Sequence, residues 1–99
     1  MFFLHPHKTF DKIFEEYGVM DKVTPGLLEK WGETVANIFL QTESDHERLE
    51  LLVHESLKLG RRLGVVEERL PAFVEDIVRT SLFYLRFLVM VKRMQVQDP

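Results

Sequence analysis

His46, Glu50 and His54 sit four residues apart in turn within a single stretch, so on a helix an imidazole, a carboxylate and a second imidazole would climb one side. That order suggests a ladder of metal ligands. Eight residues separate the two histidines by about 12 Å along a helix axis, whereas zinc holds its nitrogen and oxygen ligands at roughly 2.0 to 2.2 Å. Glu50 can therefore pair with only one of them, and the face reads as solvated charge. A metal would need Glu43 or the His5 and His7 pair brought in from elsewhere, and none is expected. His54 offers a second chemistry: an exposed helical imidazole beside Lys58 and Arg61 could accept a phosphoryl group, with the cations stabilising its oxygens. Nucleophilic catalysis has less to work with. Ser44, Ser56 and Ser81 lack a glycine-flanked elbow, and with no cysteine there is no thiolate nucleophile and no thiolate zinc site. The expectation is a protein that is not an enzyme, with no catalytic residue, no metal and no cofactor.

The elements that would carry these residues are helical throughout, and no strand pattern occurs. Phe10, Ile13, Phe14 and Tyr17 recur at helical spacing after a possible Thr9 cap, and Gly18 ends that helix. Thr24-Pro25 opens a second helix that runs to about Gln41 and turns Leu27, Leu28, Trp31, Val35, Ile38 and Phe39 inward, with Gly32 permitting a close approach. Ser44 followed by Glu47 is a capping box, and a third helix spans roughly Asp45 to Leu63 before Gly64 closes it. Its expected core face is Leu49, Leu52, Val53, Ser56, Leu57 and Leu63, with Leu59 on one flank and Gly60 allowing close packing. Val65 to Leu70 could form a short turn, and Pro71 restarts the chain as the last helix.

That last helix, from Pro71 to Met94, organises the rest. Glu75, Arg79, Arg86 and Arg93 fall on one narrow stripe while apolar residues cover the remainder, which is the pattern of a helix buried by its neighbours or by a partner. The first helix is little more than two turns long and cannot shield about 35 Å of this one. Phe83, Phe87, Met90 and Met94 form the row expected to stay bare, and a homodimer or a partner helix is the expected cover. Met1 to Leu4, folded back, would cover the same row.

Composition bounds the function further. Ninety-nine residues make one domain, 45% hydrophobic and 29% charged, with a formal net charge of −3 and both signs interspersed. No broad positive field is offered, so neither nucleic acid nor an anionic membrane is an expected partner. The opening MFFLHPH lacks the basic leader and apolar core of a secretory signal, and the charges in the last helix interrupt any membrane span. A cytoplasmic location is the expectation.

Two resemblances add to this reading. HESLKLGRRLG, from His54 to Gly64, resembles the core of histidine phosphotransfer domains, in which a Leu-Gly pair follows the histidine as Leu63-Gly64 does here; Lys58 stands one place late and no glycine follows it. That likeness implies His54 as phosphoacceptor. Other segments resemble globins: MFFLHPHKTF with FEEYG is similar to the end of their second helix and the corner after it, and EKWGETVANIF to the ligand-side helix. LKLGRRLGVVEERLPAFVEDIV is similar to the proximal helix, its corner and the next helix. The likeness implies globin-like topology and a pocket for haem or an apolar ligand, with Trp31 at the distal position. Gly60 stands where the proximal ligand belongs, and His54 is the nearest imidazole. Together these observations predict an all-α bundle of about four main helices, with the last one central. Its expected role is a non-enzymatic interaction or regulatory module acting through homodimerisation or a partner helix. A haem or apolar-ligand binder and a His54 phosphocarrier are the alternatives.

Overall fold

Four helices carry the chain, and their boundaries fall on residues whose local chemistry demands them. In the computed structural model, which describes the backbone of residues 8–97 and the side chains of residues 8–86, they are α1 (Phe10–Glu16), α2 (Pro25–Gln41), α3 (Asp45–Leu63) and α4 (Leu70–Gln97). No strand occurs among the described residues. Single 3-10 turns at Met20–Lys22 and Glu67–Arg69 lead into α2 and α4. The hydroxyls of Thr9, Thr24 and Ser44 accept from the backbone N–H three residues on, at 3.1 to 3.2 Å, so each of these helices starts with one orphan donor satisfied. Pro25 occupies the first position of α2, where no N–H is needed. Pro71 lies in the first turn of α4, one residue after the helix begins. Gly18 and Gly64 adopt left-handed φ values of 70° and 86°. Each ends its helix with a paired return: Val19 N–H to Phe14 O and Gly18 N–H to Glu15 O, then Val65 N–H to Gly60 O and Gly64 N–H to Arg61 O. Val19 and Val65 are buried, the hydrophobic contact that completes this type of cap.

The core forms where α1, α2 and α3 all pack on the first half of α4. Ile13, Phe14, Leu52, Leu63, Phe73 and Ile77 are essentially sealed from solvent. The closest approach is at Gly60, where an added Cβ would fall 2.7 Å from Leu70 Cδ2 and 2.9 Å from Phe73 Cδ2. That contact fixes the roll of α3. Its buried stripe runs Leu52, Ser56, Leu59, Gly60 and Leu63, which corrects the expected face in two respects. Leu59 is inside, whereas Leu49 and Val53 are 45% and 41% exposed, because a helix centred on Gly60 and Ser56 carries them to its flank. Gly32 was expected to admit a neighbouring backbone and does not; it is exposed, with nothing within 4 Å of its missing Cβ. Phe39 is only partly buried and lies under the Arg48 guanidinium at 4.5 Å.

Polar ties fix how the helices meet. Lys8 Nζ reaches Asp76 Oδ2 at 3.1 Å and Glu16 Oε2 at 3.0 Å, and Tyr17 Oη donates to the same Asp76 oxygen at 3.0 Å. Thr80 Oγ1 donates to Lys8 O, and Arg69 lies over the Tyr17 ring while donating to Glu16 O. Arg48 holds the corner between α2 and α3, donating to Thr42 Oγ1, Thr42 O and Asp45 Oδ1.

Candidate functional site

Burial along α4 changes abruptly with position. Leu70, Phe73, Val74, Ile77, Val78, Thr80 and Ser81 are all buried, with Phe73 and Ile77 at 0% exposure. Leu82 and Leu85 are half-buried, and Phe83 and Tyr84 are each 41% exposed. Phe10 stacks on Tyr84 with ring centroids 5.6 Å apart, and Phe83 meets Tyr84 edge-on at 5.8 Å. Glu75 and Arg79, joined at 3.0 Å, and Arg86 mark the solvent side, as the charged stripe predicts; Arg93 lies outside the described side chains.

The helix goes on where its cover thins. α4 has 28 residues, about 42 Å at 1.5 Å each, against 19 residues and about 28 Å for α3 and seven residues and about 10 Å for α1. Past Arg86 the sequence still reads FLVMV before its next charge. Of the four residues expected to form an interface, Phe83 is 41% exposed, and the side chains of Phe87, Met90 and Met94 lie outside the described residues. Met1 to Leu4, the alternative cover, and His5 and His7 also lie outside them.

The structure separates the other candidate residues. His46 Nε2 pairs with Glu50 Oε1 at 2.6 Å, both largely exposed, so Glu50 does join one histidine only. No group of three or more histidine, cysteine or acidic side chains able to hold a metal occurs among the described residues. His54 is exposed on α3. The cations near it are turned to carboxylates, Lys58 to Glu55 at 3.3 Å and Arg61 to Glu67 at 3.9 Å. Trp31 is buried, its indole N–H donating to Ser81 Oγ at 3.0 Å, and its ring also borders a groove between α2 and α3. At Gly60, the proximal position in the globin comparison, Leu70 and Phe73 leave no room for a side chain that could carry an axial ligand. Ser44 caps α3, Ser81 accepts from Trp31, and Ser56 Oγ is buried with no hydrogen-bond partner among the described residues.

Sequence reasoning missed the cluster of Lys8, Tyr17 and Asp76, whose members lie as far as 68 residues apart and carry no local signal. Hydrogen bonds to Glu16 and Asp76 raise the Lys8 ammonium above its usual 10.5. Burial, then the hydrogen bond to Asp76, raises the Tyr17 phenol above 10.0. The cluster ties the residues that flank α1 to α4. Among the described residues no helix is long and apolar enough to cross a membrane. Compared with protein-family models, curated proteins and solved structures, the chain finds no match.

Proposed function

We propose that the protein is a non-enzymatic interaction module that pairs the C-terminal half of α4 with the same segment of a second copy. The observation that carries this reading is the length of α4, 28 residues against 19 for α3 and seven for α1, with a sequence that stays apolar past Arg86. Spacing supports helix pairing in particular. Phe83, Phe87, Met90 and Met94 step by four, three and four residues, the alternation of a two-helix seam. Taking them as d, a, d and a places Arg79, Arg86 and Arg93 at g, and Tyr84 and Val91 at e. A parallel pair sets Arg79 and Arg86 against the uncharged residues 84 and 91 of its partner and Arg93 against an aspartate at 98, whereas an antiparallel pair sets arginine against arginine. The parallel two-fold arrangement therefore avoids like-charge contact and closes the assembly.

The test is solution mass across a concentration series for the wild type beside Phe87→Glu. A wild-type dimer and a folded, monomeric Phe87→Glu are expected. A wild type that stays monomeric at every accessible concentration, together with unfolding of Phe87→Glu, would show the row to be interior core and end the proposal.

A further inference from the structure

We propose that the groove between α2 and α3 binds a single-chain anionic amphiphile, an acyl chain carrying a carboxylate or phosphate head. This site is separate from the C-terminal half of α4 and does not depend on it. The groove lies between the start of α2 and the end of α3, at the opposite end of the helix pair from residues 42–44 and the Arg48 clamp. The space between them is about 680 Å³, within the range of roughly 300 to 1,000 Å³ usual for small-ligand sites.

Its lining divides by chemistry. Leu27 and the exposed edges of Trp31 and Leu59, which are 7% and 8% exposed, supply a narrow apolar floor. Lys22, Lys30, Lys58 and Arg62 bring four cations, and Glu55 is the sole carboxylate among the described residues of the lining. Glu55 is paired with Lys58, whereas Lys22, Lys30 and Arg62 have no ion pair among the described residues. The whole chain has a net charge of −3, so this is a local reversal of sign over an apolar surface. The first turn of α2 adds to it. Gly26 lines the groove within that turn, so the positive end of the helix borders it. An anionic head among these donors with its chain along Trp31 and Leu59 satisfies both halves of the lining.

Length selects the occupant. From Gly26 to Thr34 the α2 wall covers about 12 Å of helix axis, which suits an extended acyl chain and is short for the several turns of a docked acidic helix. Among the described residues no histidine, methionine or cysteine lines the groove, so none of them would hold a haem iron there by its usual ligands.

Trp31 is the one tryptophan in the chain and borders the site, so its emission reports occupancy directly. The full chain is titrated with dodecanoate, dodecyl phosphate and dodecanol below their micelle concentrations, with helicity followed by circular dichroism. Saturable emission changes with an anion at constant helicity are expected, with dodecanol about tenfold weaker or more. The two anions distinguish a carboxylate from a phosphate preference. The K30Q/R62Q double variant, altered only at exposed positions, should weaken anion binding about tenfold or more, and Glu55→Gln should tighten it about threefold. Equal affinity for dodecanol, unchanged affinity in K30Q/R62Q, emission changes that track loss of helicity, or saturable binding confined to an acidic amphipathic peptide would each overturn the proposal.

Discussion

The two flanks of α4 are built to different standards. On one, α1 and α3 meet it through rings and a glycine contact too tight for a methyl group, and the Asp76 clamp joins Lys8 and Tyr17 to it. On the other, α2 reaches α4 through Trp31 and its bond to Ser81, and its N-terminal half stands off from α3 across the groove. Both flanks draw on the same residue types. The difference lies in which helix has its glycine at the point of contact: Gly60 lets α3 sink onto Leu70 and Phe73, while Gly32 on α2 faces open space. A bundle of this size can seal one flank and leave the other able to admit a ligand.

Substitutions that treat the flanks alike should therefore give unlike results. The largest effect is expected for Gly60→Val, whose side chain must displace the buried Leu70 and Phe73. A loss of about 3 kcal/mol in denaturant unfolding is predicted, and a loss under about 1 kcal/mol would mean that this flank yields as readily as the other. Next is Asp76→Asn, which weakens two contacts from α1 and should cost about 1 kcal/mol at neutral pH. It should also change the alkaline limb of the stability profile. Lys8 and Tyr17 both have raised pKa values in the folded protein, so the folded state holds more protons at high pH, and their contribution is complete below pH 10.0. It is lost as pH climbs through the raised values. Thermal melts of the wild type should fall above that point, and Asp76→Asn should flatten the fall; identical slopes for the two proteins would remove the clamp from the account. The smallest effect, with opposite sign, belongs to Gly32→Ala. On an open helix face it should gain about 0.8 kcal/mol of helix propensity, and a measurable destabilisation would show that the α2 flank is packed after all.

These contrasts also separate what could be read from the residues in order and what could not. Thr9, Thr24-Pro25, Ser44 and Gly64 announce helix ends because a cap is a bargain between neighbours three to five residues apart. The inward turn of Ile13, Phe14 and Trp31 follows from periodicity in the same way. Gly32 and Gly60 look alike in the sequence, both lying in amphipathic helices beside large side chains, and only the arrival of α4 distinguishes them. The same contact rolls α3, which is why Leu49 and Val53 were placed inside and Leu59 on the flank. Lys22 and Lys30 on one side of the groove and Lys58 and Arg62 on the other each resemble ordinary wet-side cations until the hairpin brings them together.

The clamp between Lys8, Tyr17 and Asp76 has a bearing on how the chain comes to be folded at all. Helices α3 and α4 are near neighbours in sequence and can pair soon after both exist, but Tyr17 must wait for a partner 59 residues further on. At a synthesis rate of roughly 5 to 20 residues per second, Ile13, Phe14 and Tyr17 would be made on the order of 3 to 12 seconds before the surface that covers them. A short helix of seven residues has little persistence alone over such an interval. The order of events that follows is an α3 and α4 hairpin first, with α1 docking on it afterwards as the closing piece.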